Sequence, residues 1–166
     1  MRIGTLALAV LTLGLLASAT WGALTETVVV NVDALVASAA NLTIGATTIN
    51  FPDADPDTTP VVPAQQNPVV VTASAQTGSK KVVDLSVMAA GDLTSGSNTI
   101  PITNVSWIAT GSGYLPGTMS RTSPQPAGNW QGHGTRNGTF SYFLVNSWAY
   151  KTGNYTATAT YTLTVP

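Results

Sequence analysis

The sequence has no cysteine, few charged residues and a single histidine, and each shortage excludes a class of protein. Without cysteine the chain forms no disulfide, so its stability depends on core packing, and too few His and Cys side chains remain for a zinc site. Charged residues make up 8% of 166 residues and the net charge is −1, which excludes the basic surface of a nucleic-acid-binding protein. The histidine, His133, lies in a Gly-flanked loop without a hydrolase motif, and we expect no catalytic activity and no cofactor.

The first 22 residues have the three parts of an export signal. Met1-Arg2 is positively charged, Leu6 to Leu16 is apolar, and Ala17-Ser18-Ala19 forms a small-x-small cleavage pattern, so cleavage after Ala19 or Gly22 fits. The apolar run is shorter than the about 20 residues that span a bilayer. An uncleaved membrane anchor is the alternative interpretation. We predict a signal peptide over residues 1–22 and one domain over residues 23–166, located extracellularly or at the cell surface, with no membrane span in the mature chain.

Alternation of apolar and polar residues recurs along the predicted domain. It is longest over residues 154–165, where Tyr155, Tyr161, Leu163 and three similar positions share one face and five threonines share the other. Residues 69–77 and 80–89 also alternate, and the intervening Gly-Ser predicts a hairpin. The same pattern over residues 100–110 predicts a strand with Trp107 in the core.

Two stretches break this alternation. Residues 51–68 contain five prolines, which excludes a central strand there, and residues 123–138 are rich in Pro, Gly and Asn and predict a loop. The remaining stretches give about eight short strands separated by turn residues. This spacing predicts an all-β, immunoglobulin-like antiparallel β-sandwich.

Residues 25–32 form the first predicted strand of the mature chain. Leu24, Val28, Val30 and Val32 fall on one face, together with Glu26. Two arrangements bury this face. The strand either closes its own sandwich, which we favour for the isolated chain, or fills a groove in a neighbouring subunit as a donor strand.

Aromatic residues in or near the loops provide candidate ligand contacts. Rings that stack on the apolar faces of sugars form carbohydrate-binding platforms, and the candidates are Tyr114, Trp130, Trp148 and Tyr150. The Asp-x-Asp-x-Asp spacing over residues 53–57 offers oxygen donors of the kind that calcium prefers. Thr58 and Ala64 stand where a calcium-binding loop requires Gly and Glu, so we interpret this stretch as a solvated turn without a metal.

Several short motifs resemble the spore coat protein U family, which includes pilin subunits of archaic chaperone–usher pili. The motifs are Ile49-Asn50-Phe51, Asp55-Pro56, Val69-Val70-Val71-Thr72, the stretch Phe140 to Leu144, and Gly153-Asn154-Tyr155-Thr156 before the last strand. The resemblance implies an immunoglobulin-like sandwich whose sheet edge is completed by the N-terminal strand of a neighbour. It also implies copies of the protein or related subunits, and a periplasmic chaperone, as partners. Members usually carry cysteines, and this chain has none.

Together these features predict an exported, non-catalytic structural protein, a cell-surface or fimbria-like subunit that assembles by β-strand addition. The alternative is a soluble carbohydrate- or surface-binding β-sandwich module. The two hypotheses differ in the expected behaviour of the isolated protein. A subunit forms high-mass species that collapse on boiling in detergent, whereas a binding module stays monomeric and is retained by a glycan resin.

Overall fold

A computed structural model describes residues 26–166, so the predicted signal peptide over residues 1–22 and Leu24 lie outside the described residues. The chain divides into two units, residues 1–34 and residues 35–166. Residues 26–34 of the first unit have no regular secondary structure and their side chains are exposed. The predicted strand over residues 25–32 is therefore absent from its described part, and the prediction that it closes its own sandwich is wrong for this structure. Alternation gives a segment one apolar face but does not provide the neighbouring strand with which its backbone must pair.

The domain over residues 35–166 is built from eleven β-strands and one short 3-10 turn at Ile102–Asn104. The strands are β1 Ala39–Ile44, β2 Val61–Pro63, β3 Val69–Gln76, β4 Val82–Ala89, β5 Leu93–Ser95, β6 Asn98–Ile100, β7 Val105–Thr110, β8 Gly117–Thr118, β9 Gln125–Gln131, β10 Gly134–Val145 and β11 Ala159–Thr164. The prediction of an all-β antiparallel sandwich is confirmed, with more and shorter strands than the eight expected. Over residues 26–166, no helix has the length and hydrophobicity needed to cross a membrane.

Two antiparallel sheets face each other across the core. The larger sheet has the strand order β1-β3-β10-β7-β8, with the short strand β2 added beside β10. The smaller sheet has the order β11-β4-β9, and β5 and β6 form a separate two-stranded hairpin. The strands β1 and β11, which are the first and last of the domain, lie at the edges of their sheets, and this placement positions the candidate site.

The core forms where the alternating apolar faces of the two sheets meet. Val71 and Ala73 of β3, and Val83 and Leu85 of β4, are buried in one continuous cluster. Trp107 of β7 is 1% exposed and its indole N–H donates to the carbonyl oxygen of Leu115 at 2.8 Å. The predicted inward faces of β3 and β4 and the predicted burial of Trp107 are confirmed, because an alternating strand buries whichever face is apolar.

The predicted hairpin between β3 and β4 does not form, although both strands do. β3 pairs with β1 and β10 in the larger sheet, whereas β4 pairs with β9 and β11 in the smaller sheet. The intervening turn, in which the Lys81 amide donates to the carbonyl oxygen of Gly78, carries the chain from one sheet to the other. A short turn is compatible with either connection, and the strands that pair with β3 and β4 come from distant parts of the chain.

The predicted loop over residues 123–138 is wrong, because it contains β9 and the start of β10. Pro126 and Gly128 conceal the strand pattern of β9, yet Ala127 and Trp130 are buried against the core. The register between β4 and β9 shifts between Leu85 and Ser86, and a bulge of this kind breaks strict alternation in the sequence.

Candidate functional site

A groove of about 1750 Å³ opens between the edges of the two sheets. One wall consists of β1 and the chain that follows it, with Leu42, Ile44 and Phe51 facing the groove. The opposite wall consists of residues 154–161, which lead into β11. Side chains of the core form its floor, namely Val62, Ile102, Val105, Met119, Tyr142 and Leu144. Most of these floor side chains are buried, and the groove is lined by half-buried apolar side chains of its walls, among them Leu42, Ile44 and Phe51.

Both strands that flank the groove are hydrogen-bonded on one side only within the described part of the chain. β1 pairs with β3, and β11 pairs with β4, and neither strand has a second neighbour there. Their outward backbone N–H and C=O groups are therefore available to an additional strand. An apolar groove bounded by such edges offers an incoming strand both hydrogen bonds and burial.

The groove is closed at one end by contacts of the C-terminal residue. The carbonyl oxygen of Pro166 accepts hydrogen bonds from Ser38 Oγ at 3.1 Å and from Thr77 Oγ1 at 2.7 Å. Residues 39–41 and 162–166 do not line the groove, whereas Ile44 and Ala159 do. The edges of the two sheets therefore meet beside Pro166 and separate toward the end of β1 and the start of β11.

A pair of tyrosines places polar atoms on the apolar floor. The hydroxyl oxygens of Tyr142 and Tyr161 lie 2.8 Å apart, and the Tyr161 ring stacks on Phe140 with ring centroids 5.8 Å apart. Burial raises the pKa of both phenols above the ordinary value of about 10. Both side chains are neutral at physiological pH, so the groove has no charge at this position.

The N-terminal segment, described by itself, presents the pattern that such a groove requires. Val28, Val30 and Val32 are exposed to 76%, 75% and 88%, and all three lie on the same face of an extended chain. Val29, on the opposite face, is 82% exposed. Exposed valines at every second position are an apolar face that no neighbouring strand covers in the described chain.

Two of the four aromatic residues predicted to bind a ligand are buried. Tyr114 and Trp130 are each 6% exposed, and their rings pack together with centroids 6.1 Å apart. The Tyr114 hydroxyl donates to the carbonyl oxygen of Arg136 at 2.8 Å, and burial raises its pKa. Neither ring is available to stack on a sugar, because both belong to the core between the sheets.

The other two aromatic candidates line the groove. Trp148 is 70% exposed, and its indole N–H donates to Asp57 Oδ1 at 3.0 Å. Tyr150 is half-buried, and its hydroxyl accepts from Asn104 Nδ2 at 2.7 Å and donates to the carbonyl oxygen of Val145 at 3.0 Å. Sequence reasoning selected both residues but did not predict the groove beside which they lie.

The aspartates of residues 53–57 build a turn, as the simpler interpretation expects. Asp55 Oδ1 accepts from the Asp57 amide at 2.9 Å, and the Asp55 carbonyl oxygen accepts from the Thr59 amide at 2.8 Å. Over residues 26–166, no three His, Cys, Asp or Glu side chains are grouped closely enough to hold a metal ion. His133 is exposed and lines a separate, smaller cavity with Asn41 and Ser74.

The sequence held only an indirect signal for the groove. Alternation in residues 155–161 marked one wall, and the apolar side chains Leu42, Ile44 and Phe51 marked the other. These stretches are more than a hundred residues apart, and nothing local indicates that they face each other across an open edge. No known protein family and no characterised protein matches the chain.

Proposed function

We propose that this protein is an exported, non-catalytic structural subunit that assembles by β-strand addition. Residues 24–32, the donor segment, of one subunit enter the groove of the next subunit and pair with the free edges of β1 and β11. The observation that carries this proposal is the presence, in one chain, of an apolar groove with two unpaired edges and a segment of exposed alternating valines. Copies of the protein or related subunits are the partners.

The energetics favour such pairing. Each buried valine contributes roughly 1.5–3 kcal/mol, and Val28, Val30 and Val32 all become buried in the groove. Backbone hydrogen bonds to a strand edge add to this contribution and offset the entropy lost when an extended segment is ordered. The groove walls carry few charges, which suits an incoming strand with an apolar face.

The position of the groove favours a head-to-tail contact between subunits over an exchanged dimer. The donor segment precedes β1, and the domain begins beside Ser38, at the closed end of the groove. The groove opens toward the far end of the domain, so a neighbour docks at the opposite end from the one where the donor segment leaves. Repeating a head-to-tail contact of this kind builds a filament unless the rotation between subunits closes a ring. A periplasmic chaperone that covers the groove before assembly fits the same role, as does a location at the cell surface.

The test compares two aspartate substitutions in the mature chain, residues 23–166. Val30→Asp places a charge on the face that enters the groove, and Val29→Asp places the same charge on the opposite face. We expect the wild type and Val29→Asp to form a ladder of species in unboiled detergent gels that collapses on boiling, and Val30→Asp to remain a folded monomer. Wild-type protein that stays monomeric at all concentrations, or equal assembly of the two variants, would contradict the proposal.

A second candidate function is a carbohydrate- or surface-binding module, and the observation that favours it is Trp148. An indole that is 70% exposed and held by a carboxylate has the form of a sugar-stacking residue. Retention of the monomer on a glycan resin, lost in Trp148→Ala, would support this function. Val30→Asp should then leave retention unchanged.

A further inference from the structure

We infer that Trp148 is a principal contact for the incoming strand and that Asp57 holds it in position for this contact. The inference rests on the proposed function, since the partner is the donor segment of a second copy. It adds a specific residue pair to an interface that is otherwise defined by strand edges.

Trp148 lies at the open end of the groove. β10 begins at Gly134, which pairs with Ala75 of β3, and ends at Val145, which pairs with Val61 of β2. Trp148 follows the second of these ends. The closed end of the groove lies at the opposite end of this sheet. Pro166 there contacts Ser38 and Thr77, which adjoin the paired residues Ala39 and Gln76. A strand that enters the groove must therefore pass Trp148.

The hydrogen bond to Asp57 turns the polar edge of the indole away from the incoming strand. The single donor of the ring, Nε1, is taken up by Asp57 Oδ1 at 3.0 Å, and Trp148 lines the groove whereas Asp57 does not. What remains exposed is the apolar ring surface. An aromatic ring buries about 150–250 Å² when it is fully covered, so the exposed Trp148 ring offers the incoming strand a large apolar contact.

The loop that carries Trp148 is fixed before any strand arrives. Asn146 Nδ2 donates to the carbonyl oxygens of Ala54 and Thr59 at 2.9 and 3.2 Å, and the Asn146 amide donates to the carbonyl oxygen of Pro60 at 2.8 Å. These bonds tie the loop to the same chain segment that holds Asp57. A preorganised aromatic side chain loses little entropy on binding, and such tryptophans commonly dominate interface energies.

The experiment measures binding of a synthetic peptide of residues 24–34 to the mature Val30→Asp chain, whose own donor segment is disabled. The reporter is tryptophan fluorescence. Trp21 precedes this chain, and Trp107 and Trp130 are buried, so iodide quenching and red-shifted emission report on Trp148. We expect peptide binding to shift the emission to shorter wavelength and to protect it from iodide.

Substitutions then separate the two roles. Isothermal titration calorimetry measures the affinity of each variant, because Trp148→Ala removes the fluorescent reporter. Trp148→Ala should weaken peptide binding at least about tenfold, the loss expected for a central interface aromatic. Asp57→Ala should weaken it less and increase iodide quenching of the free protein, whereas Asp57→Asn, which keeps an oxygen acceptor for the indole, should bind as the parent does. Thermal unfolding checks that each variant is folded.

The outcomes distinguish this inference from the proposed function. Peptide binding of unchanged affinity in Trp148→Ala, without an emission shift in the parent, would overturn the inference and leave strand addition intact. A folded parent that does not bind the peptide at any concentration would overturn the proposed function and the inference together. An emission shift with oligosaccharides but not with peptide would overturn both in favour of the carbohydrate-binding function.

Discussion

The phenolic oxygens of Tyr142 and Tyr161 lie 2.8 Å apart and join the two sheets beneath the groove. Tyr142 belongs to β10 of the larger sheet and Tyr161 to β11 of the smaller sheet. Burial is the largest cause of the raised pKa of each phenol. The bond holds the edge strand β11 on the core, and burial makes ionisation of either phenol unfavourable in the folded state.

Alkaline pH should destabilise the domain through these phenols. Their folded pKa values lie above the unfolded value of about 10, so the unfolded chain loses its phenolic protons first as the pH rises. The stabilising contribution is complete below about pH 10 and is lost progressively above it. Urea unfolding at about pH 8 and about pH 11 measures the difference. In Tyr161→Phe the fall should be smaller, and an equally steep fall would contradict the assignment.

Trp107→Ala should lower the free energy of unfolding by about 3–5 kcal/mol, the range for a large aromatic removed from a core. Trp107 is 1% exposed, and the substitution also leaves the carbonyl oxygen of Leu115 without its indole donor. Trp148→Ala is the matched control. Because Trp148 is 70% exposed, its removal should change the stability of the monomer by less than about 0.5 kcal/mol. Equal effects of the two substitutions in urea unfolding would disprove this assignment.

Gly138→Ala should destabilise the domain by about 1–3 kcal/mol, as overpacking does. A Cβ atom at this position would collide with the carbonyl oxygen of Thr110 and with the Tyr114 ring, which lies over the glycine. Gly91→Ala provides the control, because a Cβ there has no neighbour within 4 Å. In thermal unfolding, the wild type and Gly91→Ala should have similar melting temperatures, and Gly138→Ala should have a clearly lower one.

Asn67→Ala should lower the free energy of unfolding by about 1–3 kcal/mol, the penalty for a buried backbone group left without a partner. Asn67 Oδ1 accepts from the Tyr142 amide at 2.8 Å, and Asn67 Nδ2 donates to the Tyr142 carbonyl oxygen at 2.7 Å. That carbonyl also accepts from the Ala64 amide at 3.0 Å, so the unpaired amide accounts for most of the loss. Asn67→Asp keeps the acceptor for this amide but brings a carboxylate oxygen to the Tyr142 carbonyl oxygen in place of Nδ2, so it should also be destabilising. Unchanged stability of Asn67→Ala in urea unfolding would contradict this assignment.

The limits of sequence reasoning are clear at β3 and β4. The burial of Val71 and Leu85 followed from alternation, because adjacent residues of a strand must point to opposite faces. The pairing of these strands did not follow, and a hairpin was expected where the chain crosses between sheets. A short turn is compatible with both connections, and the choice is made by strands β1, β9, β10 and β11, which come from distant parts of the chain.

The candidate site divides in the same way. The exposure of Trp148 followed from its place near a loop, whereas Tyr114 and Trp130 were misassigned to the surface. The donor role of residues 24–32 stays a prediction. Loop position predicts exposure only when the neighbouring strands leave the loop uncovered. Trp130 lies in a strand that Pro126 and Gly128 conceal, and Tyr114 is covered by the larger sheet.

By itself, the sequence determined the all-β class, the inward faces of most strands and the alternation of residues 24–32, since these depend on the two-residue period of an extended chain. Tertiary structure decided which strands pair, which aromatics are buried, and that β1 and β11 leave an open edge between them. These outcomes depend on the packing of segments far apart in the chain. Each long-range contact contributes little alone, so the arrangement that buries the most apolar surface emerges only when all strands are in place.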